Sequence, residues 1–452
     1  MRASDLLQSI DGLSYGQRVR YVADRARELS GLLDELGRGD AFERVVGIQI
    51  AEVVRDTPYV TRMLRAPEPA VQSRALAAVW RGVPVSDDDL RILYDDAPAA
   101  LRSRLVALVR RTRREHLANR LIDEHRARWG DVAAVGLLEA TSPATAARLL
   151  PELAYCVTPA GWRGLARRHP DEVLAFAERT LPAGEDRDEW WDAVGHGVTA
   201  ALKHDPDAVL ALIKRAIPAH ELPVAVLDIL GRLADHDPAA VLALLLAPDR
   251  QGVVRRALTP GFRRRLHRYS DDELAALGRL VWPDLAGLLA DLAPSRRTTI
   301  FEAVTKDVEL GQAVLGDDLL QVLPHRVRVD QARRMLELPA IREDDSLRRG
   351  ISSYLPYEEA FALLEPEVRA PDAGVRSAVY RSIVRSAGHS RDPELVVRAL
   401  GWAAGRVRND KDPVRCSLLQ AAADVPPTLL TDPLTGPLET LLTDALNARD
   451  TS

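Results

Sequence analysis

The chain of 452 residues has only two cysteines, Cys156 and Cys416, and no C-x-x-C pair. A disulfide framework and a cysteine-built zinc site are both excluded, and a reducing, cytoplasmic home is expected. Long apolar runs are missing too: the longest, Ala239 to Ala247, is nine residues, against roughly 20 needed to span a bilayer. The opening MRASDLLQSIDG lacks the apolar stretch of a secretory signal, so neither export nor membrane insertion is expected. Aromatic residues make up 5% of the chain, and alternating apolar patterns are nearly absent. A sheet is therefore not expected. Lysine is scarce, with Lys203, Lys214, Lys306 and Lys411 the only four among 61 basic residues, which reads as GC-rich bacterial coding of the actinobacterial kind. No sign of charge dominates: 61 basic residues face 66 acidic ones, for a net charge of -5. A global polycation built for nucleic acid is excluded, although local patches are not.

What is present is helical. Hydrophobic residues are 46% and charged residues 28%, ordinary proportions for globular protein. Val45 to Val54, rich in β-branched residues, keeps helix spacing, and Val375, Ala378, Val379, Ser382 and Ile383 recur at threes and fours, with Arg381 and Arg385 opposite. Helix starts repeat as well. Asp205-Pro206, Asp237-Pro238 and His169-Pro170 each place proline where the first turn has no amide partner, and Trp282-Pro283, Asp392-Pro393 and Asp412-Pro413 repeat the device. From Pro170 the spacing is 36 residues to Pro206, then 32 to Pro238 and 45 to Pro283. Ser86, Thr158 and Ser270 open capping-box-like starts 12 or 13 residues upstream of Pro98, Pro170 and Pro283. A capped helix, a turn, a proline-started helix and a turn make one unit, and the length accommodates about a dozen.

PDAGVRSAVYRSIV from Pro371 and KDPVRCSLLQAAADV from Lys411 resemble the second helix of HEAT repeats, the marks being Asp372, Val375 and Arg376 in one and Asp412, Val414 and Arg415 in the other. A looser match is Pro69, Val71 and Arg74. The resemblance implies an all-α fold: a right-handed α-solenoid of about a dozen stacked antiparallel helix pairs, HEAT/armadillo-like. Residues 1–40 are expected to form an N-terminal helical cap, and 41–452 a continuous HEAT-like array.

Catalytic patterns are thin. No lysine stands in a Gly-Lys-Ser/Thr loop, which rules out a Walker A site. Gly12-Leu13-Ser14-Tyr15-Gly16 matches G-x-S-x-G, but with no strand before it Ser14 reads as a helix cap completed by Gln17. Gly195-His196-Gly197 opens a G-x-G-x-x-A match better explained by small residues at a close helix contact. The ten histidines are dispersed, and His220-Glu221 is the sole His-Glu dipeptide, whereas HEAT-like di-iron hydroxylases resemble arrays carrying several. HEAT-like alkylation-repair DNA glycosylases carry a helix resembling Trp, three residues, then Asp; none of the seven Trp here fits. No enzyme activity, metal or cofactor is expected.

Charge and tryptophan supply the remaining candidates. Leu101 to Arg128 holds nine Arg against three acids, including Arg110, Arg111, Arg113 and Arg114. Arg250 to Arg268 holds seven Arg and no acid, including Arg255, Arg256, Arg263, Arg264, Arg265 and Arg268. In the second patch, Phe262, Leu266 and Tyr269 are expected to form the buried stripe of one short helix with Arg264, Arg265 and Arg268 outward. Either patch would suit an anionic partner, or would line repeat junctions by pairing with neighbouring caps. Trp190-Trp191 sits in an acidic stretch, its rings about 100° apart on a helix, so one is a possible anchor for a protein partner unless a loop covers both. The function expected is a non-enzymatic scaffold or adaptor that binds protein partners along a concave face. The alternative is a nucleic-acid-binding, DNA-associated protein using the Arg patches.

Overall fold

The structure is a computed structural model that describes residues 2–183, 186–218, 221–306, 308–408 and 410–446. Among the described residues every regular element is an α-helix or a short 3-10 turn. The chain divides into two compact units, Met1–Pro218 with Pro223–Val226, and Ala219–Leu222 with Leu227–Ser452.

In the first unit the Ala41–Val54 helix packs on its successor, Thr57–Leu64, and also on Pro69–Trp80, which in turn packs on Ala99–Thr112. In the second, Ala373–Ser390 touches both Pro393–Val407 and Asp412–Ala423. A helix that contacts its neighbour and the helix after that is one step of a stack, so the fold is an all-α solenoid of helix pairs. No described helix is long and apolar enough to cross a membrane.

The caps explain where the helices begin. Asp205 accepts the Ala208 amide at 2.8 Å and Asp237 the Ala240 amide at 2.9 Å, with proline in the first turn behind each. Ser86, Thr158 and Ser270 accept amides three residues on, and Ser270 completes a capping box with Glu273. His169 fills the cap position before Pro170 with no side-chain bond. Two expected starts differ. The Trp282–Pro283 bond is cis and leads into a turn, and helix resumes only at Ala286–Leu289. At Asp412 the cap is Lys411, while Asp412 is buried 3.7 Å from Arg415.

Single-turn helices Val254–Ala257, Pro260–Arg263, Ala286–Leu289 and Pro339–Arg342 interrupt the second unit. Packing there is close. A Cβ at Gly231, on the Val224–His236 helix, would stand 2.3 Å from the Gly261 carbonyl oxygen, so two backbones meet where only glycine leaves room.

Candidate functional site

The charged side chains are organised by the repeat. Arg44 pairs with Glu68, Arg114 with Asp87, Arg215 with Glu178, Arg265 with Asp235 and Arg376 with Asp410, partners 24 to 37 residues apart. That is about the length of one repeat. Arginine forks suit such junctions because one planar group can bind a carboxylate and a carbonyl together. Arg114 does this, donating to Asp87 at 2.7 Å and to the Val85 carbonyl at 2.8 Å.

Arg120, Arg126 and Arg128 of the first patch pair with Asp88, Asp131 and Glu124, and its middle is more open. Arg110 lies 3.8 Å from Glu139, and Arg111 stacks over the Trp80 ring, 4.5 Å from its centroid. Arg113, the left-handed C-cap of Ala99–Thr112 at φ 55°, is exposed and makes no ion pair among the described residues. Arg104 is likewise exposed and unpaired among them. Between Pro69–Trp80 and Ala99–Thr112 runs a groove of about 380 Å³ lined by Leu76, Ala77, Trp80, Arg104 and Ala107. Helical spacing puts Trp80 on the stripe with Ala77, and Arg104 with Ala107 and Arg111, so packing two helices side by side joins an aromatic row to a cationic one.

The second patch is largely spoken for. Arg255 pairs with Asp284 at 2.6 Å, Arg256 with Glu221, and Arg263 with Asp291 at 3.5 Å. Arg265 and Arg268 share Asp235, at 2.9 and 3.2 Å. The hydrogen bond from Arg265, reinforced by the charges of Arg265 and Arg268, holds the Asp235 carboxyl below its ordinary value. Arg264 alone of these six makes no ion pair among the described residues, and the side chain of Arg250 lies outside them. Phe262, Leu266 and Tyr269 are buried as the spacing predicts, but on a single α-turn followed by a 3-10 turn, not on one helix. That break swings Arg265 back over the Gly261 carbonyl and onto Asp235.

No protein-family model matches the chain, and no curated protein is similar to it in sequence. Among structures, the chain is similar to one in a homology model of the full-length AP-3 complex in an intermediate open conformation, at 12% identity over 98% of this chain and 91% of that one, with a TM-score of 0.33. A crystal structure of an engineered protein matches at 11% identity over 94% of this chain and 98% of that one, with a TM-score of 0.17. Both likenesses are remote, and the fold rests on the helix packing described above.

Trp190 and Trp191 are both buried, 7% and 2% exposed, in an edge-to-face pair with centroids 5.1 Å apart. Trp190 donates its ring N–H to Thr180 Oγ1 at 3.2 Å, and Trp191 to the Ala216 carbonyl at 3.0 Å. Two neighbouring segments thus close over the two directions in which adjacent helical side chains point. The glycine pattern beside them is a contact: a Cβ at Gly197 would stand 2.8 Å from the Trp162 ring. Ser14 caps the Tyr15–Leu29 helix, its amide donating to Gln17 Oε1 at 2.9 Å. Among the described residues no group of three or more His, Cys, Asp or Glu side chains is arranged to hold a metal ion, and His220 lies outside them. Sequence reading passed over Trp80 and Arg104, because the groove arises only when two helices 30-odd residues apart are laid side by side.

Proposed function

We propose that this chain is a non-enzymatic, cytoplasmic helical-repeat scaffold that holds protein partners, with the groove between Pro69–Trp80 and Ala99–Thr112 as one of its grips. The observation that carries the reading is a contrast. Arg44, Arg114, Arg215, Arg265 and Arg376 are engaged across repeat junctions, whereas at this groove Arg104 pairs with no carboxylate among the described residues and Arg111 lies over the Trp80 ring. Tryptophan and arginine are the side chains most enriched where binding energy concentrates, and a cationic rim around an apolar floor favours an acidic segment with one large apolar residue.

The test is an affinity capture of the tagged protein from its own organism's lysate, split between nuclease-treated and untreated halves, and repeated with Trp80→Ala and Arg104→Glu. A stoichiometric protein that survives nuclease and falls by about tenfold with the variants is the expected result. Loss of all bound material after nuclease would overturn the reading. Equal capture by the variants would remove the groove from it.

A further inference from the structure

In the second unit a cavity of about 390 Å³ opens among the helices His325–Leu336, Ala373–Ser390 and Asp412–Ala423, lined by Gln321, Arg328, Arg385, His389, Arg391 and Asp424. Its size falls at the small end of ligand pockets, roughly 300 to 1,000 Å³. Three guanidinium groups face it and one carboxylate does.

Arg328 is the group that packing does not explain. It is 6% exposed. One of its terminal nitrogens donates to the His389 carbonyl at 3.0 Å and lies 3.4 Å from His325 Nδ1, while its Nε is buried without a partner. Among the described residues no carboxylate pairs with it. Burial, with the Arg391 charge beside it, pushes its guanidinium below the ordinary value. Leaving a buried charge uncompensated is expensive, and chains that do so generally gain something at that place.

The surrounding groups cannot supply the missing charge. Asp317 is engaged by Arg385 and not by Arg328: it accepts from Arg385 at 3.2 Å, from Gln321 at 2.8 Å and from the Tyr354 hydroxyl. Asp424 accepts from the Gln420 amide at 3.2 Å and pairs with none of the three arginines. Arg391 is the left-handed C-cap of Ala373–Ser390, at φ 57°, exposed and without an ion pair among the described residues. His389 donates Nδ1–H to the Ser353 carbonyl at 2.9 Å and stacks on Tyr354, so its neutral ring keeps Nε2 as an acceptor.

We propose that this cavity binds a phosphate group, with Arg328 and Arg391 as its cationic contacts and Asp424 as an acceptor for a hydroxyl on the same ligand. Guanidinium forks match phosphate oxygens in charge and geometry, and Arg328 is already desolvated, so an arriving dianion meets a cation that water does not screen. The volume leaves space beside the phosphate for a small polyol body. The site is independent of the scaffold reading, and its failure leaves that reading standing.

The experiment is calorimetric titration of the full chain with inorganic phosphate, with glycerol 3-phosphate and with acetate, near physiological salt. Expected is saturable binding of at least one phosphate compound with a Kd below about 1 mM, weakened by about tenfold or more in Arg391→Asn. Asparagine tolerates the left-handed conformation, so that variant keeps the fold. Arg328→Met is expected to abolish binding. Equal binding of the two phosphate compounds would assign the site to free phosphate, and tighter binding of glycerol 3-phosphate to a phosphorylated metabolite. The proposal is overturned if neither phosphate compound saturates, if Arg391→Asn binds as tightly as the parent, or if acetate matches phosphate.

Discussion

Arg376 donates two hydrogen bonds to Asp410, 34 residues downstream, at 2.5 and 2.9 Å, with the side chains only 16% and 11% exposed. The hydrogen bonds from Arg376 hold the Asp410 carboxyl below its ordinary value. Asp372 meanwhile caps the helix that carries Arg376, accepting the Val375 amide at 2.8 Å. In this unit the Asp and Val-Arg marks that resemble HEAT repeats therefore do two jobs, starting a helix and tying it to a later segment, whereas Asp412 of the second marked unit does not cap its helix.

Because the pair is largely buried, removing one partner strands the other. Arg376→Ala and Asp410→Ala are each expected to destabilise by about 2 to 3 kcal/mol, with a coupling of about 1 to 2 kcal/mol in the double-mutant cycle. Urea unfolding of the four proteins measures it, and additive effects would show that the Arg376–Asp410 pair contributes no coupling.

Gly231 makes a different kind of junction. Alanine there would place its Cβ 2.3 Å from the Gly261 oxygen, and both sides of the contact are backbone. Gly231→Ala is expected to destabilise by about 2 to 3 kcal/mol, despite alanine's better helix propensity. Gly405, on the Pro393–Val407 helix, meets nothing within 4 Å, so Gly405→Ala should be neutral or stabilising by about 0.5 to 1 kcal/mol. Similar midpoints for the two variants would sink the close-contact account.

The arginine patches bear on nucleic acid through salt. Of the ten arginines singled out, Arg113 and Arg264 are the two with neither an ion pair nor a ring contact among the described residues. Each phosphate contact contributes about 0.9 to the slope of log affinity against log salt. Duplex DNA binding that uses these two alone should therefore show a slope of about -2, and Arg264→Glu should roughly halve it. A slope several times steeper would mean that other arginines, exposed or paired, also contact phosphate.

Much of this organisation was legible in the sequence. Asp205, Asp237, Ser86 and Ser270 announce helix starts because caps are local, satisfied within three residues. The regular period fails where single-turn helices such as Pro260–Arg263 and Ala286–Leu289 are inserted, since one turn is too short to show periodicity. Junction pairing was legible as one reading of the arginine patches, but which arginine takes it was not: Arg265 and Arg264 are adjacent in sequence, yet one is fixed to Asp235 and the other is exposed. The cavity around Arg328 draws on residues from 321 to 426, and no local pattern joins them.

His389 gives that cavity a pH signature. Burial is the main cause that pushes its ring down to about 4; Arg328 and Arg385 add to it, while the hydrogen bond to Ser353 and the Asp317 carboxylate oppose it. Its unfolded value is about 6.5. Between those values the unfolded chain holds a proton that the folded chain refuses, so stability is full above about 6.5 and falls as pH drops toward 4, by on the order of 3 kcal/mol if the ring stays buried. His125, His169 and His325 are lowered as well, each chiefly by burial, and slope the same way. The informative quantity is thus the difference between the parent and His389→Gln, which keeps a hydrogen-bond donor for the Ser353 carbonyl but cannot titrate. The parent should lose more stability than His389→Gln on going from pH 7 to pH 5, read as the shift in urea midpoint. Equal losses would place His389 in solvent when folded, and with it water beside Arg328.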